Sequence, residues 1–222
     1  MRVLPALVLL ALLAAAGEPP AELPERAVKK LEASLRAARP HATHVWRDTA
    51  PINADGTITA YVEIPRGERR KWEFDMAANA GAVDRVIPEE IGGYPVNYGF
   101  VPQTVSYDGD PFDALVLGPP LANGTILQGV PVALMQMRDE GVVDSKVVLS
   151  PVGDGGRARH PLSVDQQQAM AEYFSRYKRH EPGAVTSVPG WGDAHDGRDL
   201  VARTHEFFRR CPGRRGPCRV TE

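Results

Sequence analysis

One change of rhythm constrains this chain more than any other feature. Between Thr57 and Val152 the apolar residues fall into short runs: "TITAYVEIP" (57–65), "RKWEFDM" (70–76), "PFDALVLG" (111–118), "GVPVALMQMRD" (129–139) and "DSKVVLSPV" (144–152). Short runs with alternating character, bounded by Gly, Pro and Asp, predict strands. After Ser163 the period lengthens. "SVDQQQAMAEYFSRYKRHE" (163–181) opens with Ser163 and Gln166 at capping-box spacing and carries Met170, Phe174 and Tyr177 on one helical face. "DLVARTHEFFRRC" (199–211) reads as a closing helix. Strands first and helices after predict an α+β fold, mainly β, or a small barrel with helices packed outside. Between the strands, "GYPVNYGFVP" (93–102) reads as an ordered aromatic loop, because Pro95, Asn97 and Gly99 interrupt regular structure.

The two ends read differently. "MRVLPALVLLALLAAAG" has one early charge, an apolar run and small residues after it, the pattern of an export signal over residues 1–17. Its apolar run is short for a membrane span, which needs about 20 residues. Residues 18–45 form a helical extension or linker, in which Ala27, Leu31 and Leu35 recur at helical spacing. The main domain then covers 46–210, and 211–222 is a C-terminal tail. That tail holds both cysteines of the chain, Cys211 and Cys218. Closing their loop with a disulfide would contribute about 2.5 kcal/mol on the chain-entropy model. Signal and cysteine pair agree on an exported protein, periplasmic or secreted, with no stable membrane contact once the signal is removed.

Chemistry concentrates in "YDGDPFDALVLGPP" (107–120), where Asp108, Asp110 and Asp113 fall within six residues. Carboxylates about 4 Å apart repel by about 4 kcal/mol at an effective dielectric near 20. They point apart into water as a turn, or something positive sits among them. A calcium loop of EF-hand type fails on counting from Asp108, since its sixth position is Asp113 rather than Gly and its twelfth is Pro119 rather than Glu. A magnesium-type site stays open, with hard oxygen ligands around an ion that keeps waters for a phosphate. A second acidic knot, Asp139, Glu140 and Asp144, is followed at strand spacing by Lys146. A third set combines Glu63, Lys71, Glu73, Arg85, Tyr94, Tyr98, Tyr177 and Lys178. Carboxylates for metals, with Lys, Arg and Tyr for phosphate oxygens, describe a phosphoryl-transfer site. A net charge of −2 and acids within the motifs speak against nucleic acid as a partner. The six histidines show no metal spacing and read as surface or packing residues.

Taken in order, "VEIPRGERRKWEFD", "VDR" (83–85), "YPVNYGFVPQT", "DGDPFDA", "MRDEGVVDSK", "YFSRYK" and "GWGDA" resemble the motifs of the soluble family I inorganic pyrophosphatases, from about Thr57 to Phe208. The resemblance implies a five-stranded OB-like β-barrel with packed helices, a homo-oligomer, and hydrolysis of inorganic pyrophosphate to two orthophosphates. It implies several Mg²⁺ ions, with Mn²⁺ or another divalent ion as substitute. Asp108, Asp113 and Asp144 would hold the first ion, Asp113 being shared with a second, and Asp110 would be the general base. Asp139 and Asp144 would hold an ion arriving with substrate, with Glu73 helping through water. Glu63 and Glu140 would complete the acidic lining. Lys71, Arg85, Tyr98, Lys146, Tyr177 and Lys178 would grip phosphate oxygens, and Tyr94 would shape the site. Two other readings share the pattern: an exported phosphohydrolase acting on polyphosphate or nucleotides, and a non-enzymatic OB-type binding module.

Overall fold

The computed structural model describes residues 22–210. The expected signal at 1–17 and the Cys211–Cys218 pair lie outside them. The strands are β1 (Ile58–Ile64), β2 (Arg70–Asp75), β3 (Ala80–Val86), β4 (Asn97–Val101), β5 (Phe112–Val116), β6 (Ile126–Asp139), β7 (Val142–Val143), β8 (Lys146–Pro151) and β9 (Thr186–Gly192). The helices are α1 (Glu25–Ala38), α2 (Val45–Asp48), α3 (Val164–Phe174) and α4 (Ala194–Arg210).

Every residue of β1 is buried, as in a strand enclosed on both faces. It pairs antiparallel with β4 on one side and with β6 on the other. From β4 the ladder runs to β5, then in parallel to β8, then antiparallel to β6. Five strands thus return to their start, as expected of an OB-like, mainly β fold. The β2–β3 hairpin is a separate two-stranded sheet, and β9 joins the long strand β6.

Four strands differ from the sequence reading, the two-residue β7 being too short to show a pattern. β4 lies where a loop was expected, because its interrupting residues serve the pairing. A Cβ on Gly99 would come within 1.8 Å of the Tyr61 carbonyl oxygen, so only glycine allows β4 to meet β1. Asn97 is fully buried with four hydrogen bonds: Oδ1 accepts from the Arg66 and Leu121 N–H groups, and Nδ2 donates to the Val116 and Pro119 carbonyls. β3 escaped notice because most of it is exposed, which removes the apolar alternation. β9 contains Pro189, Gly190 and Gly192, and it crosses a register shift against β6.

The helices also shift. α3 carries the expected capping box between Ser163 and Gln166 but ends at Phe174 rather than 181. The chain continues in tight turns, the Arg176 N–H donating to Tyr173 and that of Arg179 to Arg176. Tyr177 and Lys178 therefore sit on a turn. α4 starts five residues before its expected position, capped by Asp193, whose Oδ1 accepts the His195 and Asp196 N–H groups. Gly197 lies within the added first turn. A Cβ there would approach the Ala133 carbonyl oxygen to 3.1 Å, so glycine seats α4 on β6.

α1 packs against the domain. Leu31 is fully buried in a cluster with Trp46, Tyr107 and Phe207, with Leu35 at its edge. Arg47 ties the end of α1 back, donating from Nη1 to the Ala38 carbonyl and from Nη2 to that of His41. A second cluster joins α3 to the sheet through Met170, Tyr173 and Phe174.

Candidate active site

The Asp108–Asp113 segment is a turn that feeds a strand. Gly109 has φ +91°, a region that glycine enters without strain. The Asp110 N–H donates to Asp108 Oδ1 at 3.0 Å, and the Ser106 N–H to the Asp110 carbonyl at 2.6 Å. The Thr104 hydroxyl accepts the Phe112 N–H and donates to the Val101 carbonyl, anchoring the start of β5. Asp113 thereby enters β5 opposite Phe100 of β4 and beside the first residue of β8.

A pocket of about 390 Å³ opens at this end of the sheet. It brings together Asp108, Asp110, Asp113, Asp139 and Asp144 with Glu63, Lys71, Glu73, Tyr94, Tyr98, Tyr177 and Lys178. Residues expected on separate strands and a helix thus meet in one cavity. Lys146 and Arg85 belong just behind the walls. Lys146 is 1% exposed and donates to Asp113 Oδ2 at 2.5 Å and to Asp144 Oδ1 at 3.0 Å. Arg85 holds Asp84 on its own strand and Glu181 beyond α3, each at 2.7 Å. Glu140 is not brought in. It is exposed on the β6–β7 turn with φ +49° and does not line the pocket.

The carboxylates do not converge on one point. Among the described residues no three His, Cys, Asp or Glu side chains form a ready metal cluster. Their charges are met by ammonium groups instead: Lys146 for Asp113 and Asp144, Lys178 for Asp139, Lys71 for Glu73, and Lys30 for Asp110. Negative charge still predominates, and it leaves a mark on the protonation of the site. Burial pushes the Glu63 and Asp144 carboxyls up, and Asp113 adds to both. Partial burial at the turn, with Asp108 beside it, pushes the half-exposed Asp110 carboxyl up to about 6 against the opposing pull of Lys30. Burial opposes the Lys146 charge, but Asp113 and Asp144 outweigh it and hold the ammonium protonated. Burial also raises the Tyr94, Tyr98 and Tyr177 hydroxyls, keeping them as donors.

Over residues 60–209 the chain matches the family model described as inorganic pyrophosphatase. This chain belongs to the inorganic pyrophosphatase family. Its class of enzyme is therefore that of a diphosphatase, a hydrolase. The inorganic pyrophosphatase of Halobacterium salinarum is 38% identical over 175 residues, covering 74% of this chain and 96% of that one. The one from Neisseria meningitidis serogroup B is 37% identical over 167 residues, covering 72% and 94%. The solved inorganic pyrophosphatase of Neisseria gonorrhoeae superposes with a TM-score of 0.67 at 31% identity, over 73% of this chain and 97% of that one.

Sequence reasoning missed one charged residue of the pocket. Lys30 of α1, with Ser34 one turn on, lines the cavity from outside the matched segment. No motif pointed to it. Only the fold reveals the pairing, which spans 80 positions.

Proposed function

We propose that this enzyme hydrolyses inorganic pyrophosphate to two orthophosphates with Mg²⁺, using a water deprotonated by Asp110. The observation that carries this is the pocket itself, where five aspartates face lysines and tyrosine hydroxyls within one cavity of about 390 Å³. The residues fit divalent ions. Their donors are hard carboxylate oxygens, and Asp139 Oδ1 is buried without a hydrogen-bond partner. Asp108, Asp113 and Asp144 would hold one ion, with Asp113 shared by a second. Asp139 and Asp144 would hold another, with Glu73 assisting through water. When bound, such ions neutralise the substrate anion and acidify water.

The chain's own groups do the rest. Asp110, with its carboxyl near 6, is mostly ionised at neutral pH and still basic enough to take a proton from water. Lys71, Lys178, Tyr98 and Tyr177 line the cavity and would donate to phosphate oxygens, with Arg85, opposite Lys71 on the β2–β3 hairpin, as a further donor. Lys146 sets the charge beneath Asp113 and Asp144. Tyr94 is 1% exposed and packs edge-on against Tyr98, which holds that ring in place.

The test is phosphate release from pyrophosphate by the parent protein and Asp110→Asn, with and without Mg²⁺. We expect kcat to fall by about 10²–10⁴-fold while metal binding persists; equal release from both proteins would sink the mechanism. We also read residues 1–17 as a cleaved export signal, on their charge and hydropathy pattern. N-terminal sequencing of the mature protein tests this, an intact Met1 counting against it.

A further inference from the structure

α1 precedes the segment that matches the family, yet it reaches the reacting end of the pocket. Lys30 Nζ lies 2.6 Å from Asp110 Oδ2, with both side chains half exposed. The contact does not rest on a loose lysine alone. A Cβ on Gly109 would meet Lys30 Cβ at 2.8 Å and the Ala27 Cα at 3.0 Å, so helix and acidic turn touch at backbone distance. Ala27 and Leu31, on the inner face of α1, are both 0% exposed. Arg47 holds the helix end from below. Burial opposes the Lys30 charge, and Asp110, with Asp108 and Glu73 beyond it, outweighs that opposition.

We infer that α1 is a docked strap and that Lys30 is the resident counter-ion of the acidic turn: its ammonium, held on Asp110, must move aside before a divalent cation loads on Asp108 and Asp113 beside it. Lys30 is thus a positioning residue for the acidic turn, and it sets the concentration of divalent ion at which the enzyme becomes competent. This rests on the reading of Asp108 and Asp113 as metal ligands. The other lysines of the site are fixed in the domain that matches the family; this one arrives on a separate helix. Its ammonium can swing into solvent, as the half-exposed geometry allows, so loading requires a side-chain movement and not the removal of α1.

Mg²⁺ binding to the full-length protein, stripped by chelation and titrated calorimetrically without substrate, tests this. Lys30→Met keeps the stem and the helix propensity while removing the charge. We expect its dissociation constant for the first ion to fall about two- to five-fold, the range open to a partly exposed ion pair. Lys30→Arg should restore the parent value. The difference should shrink as NaCl rises, because an exposed pair is screened. Lys29→Met makes the same change of net charge one residue away, where the partner is Glu25, and should leave the isotherm unmoved. Asp108→Asn separates the two readings. If it weakens Mg²⁺ binding while Lys30→Met matches the parent, the counter-ion role is refuted and the ligand assignment survives. If Asp108→Asn and Asp113→Asn both leave the isotherm unchanged, the ligand assignment falls and the counter-ion role with it. A raised KM for pyrophosphate in Lys30→Met with an unchanged Mg²⁺ isotherm would make Lys30 a substrate ligand and overturn the inference.

Discussion

Lys146 is the most consequential single side chain in the site, and Lys146→Met measures why. The side chain is 1% exposed, and its ammonium neutralises Asp113 at 2.5 Å and Asp144 at 3.0 Å. It also lies over the rings of Tyr98 and Phe174, at 5.6 and 5.8 Å. Methionine fills nearly the same volume, so the cavity term is small. What remains is two recessed carboxylates with no positive partner. Removing one member of a buried ion pair costs about 3–5 kcal/mol, against a total stability of about 5–15 kcal/mol for a typical domain. For a chain of this size that lowers Tm by roughly 6–20 °C. Urea unfolding in chelator at neutral pH is the direct assay, read from the midpoint at constant slope. The deficit should depend on pH. Burial, with Asp113 and Asp108, already raises the Asp144 carboxyl in the folded protein. A raised acid costs little below its unfolded value and more as pH climbs through its folded one. Without Lys146 that rise grows, so the variant should lose less stability near pH 5 than near pH 8. Adding Asp144→Asn should recover part of the loss, since one stranded charge is gone. A single variant within about 1 kcal/mol of the parent at neutral pH would refute this account of the buried triad.

Two further outcomes rest on packing. His44 is 1% exposed, and its Nδ1 accepts the Arg47 N–H while Nε2 donates to the Met76 carbonyl, so only the neutral ring satisfies both. Burial depresses its folded value, helped by the charges of Arg47 and His41 against the Met76 carbonyl and Asp48; stability should hold above about pH 6.5 and decline below it, and His44→Gln should flatten that limb of a stability-versus-pH curve. Gly99→Ala would press a methyl group against the Tyr61 carbonyl at 1.8 Å, so we expect a loss above about 3 kcal/mol or failure to fold, checked by circular dichroism and thermal melting, with a normal melt counting against the β1–β4 register.

The parts of the site that were legible in sequence are those whose chemistry is local. Asp108, Asp110 and Asp113 share one turn, and Asp144 and Lys146 share one strand period, so their proximity follows from covalent spacing. β1, β5, β6 and β8 were legible for a similar reason: their apolar residues come in runs, and the capping box announced α3 at Ser163. The rest depended on distant partners. Gly99 and Asn97 look like breakers until Tyr61 and Arg66 lie against them. Phe174 ends its helix although the apolar spacing continues to Tyr177. Glu140 shares a motif with Asp139 yet turns outward at positive φ, since neighbours at a strand end face different ways. Lys30 reaches Asp110 only because Leu31, beside it, is sealed under the domain.

The interruptions that hid β9 have a consequence for the molecule in company. β9 pairs with β6 along one side only, among the described residues, so its outer margin is an open border of the sheet. Open borders recruit other chains by offering a continuous row of amide donors. Here Pro189 removes one donor, and the shift of register between Gln136 and Arg138 bends the row where it would otherwise run straight. The border is therefore a poor template for a second strand, and a chain crowded among its copies is protected from sticking edge to edge.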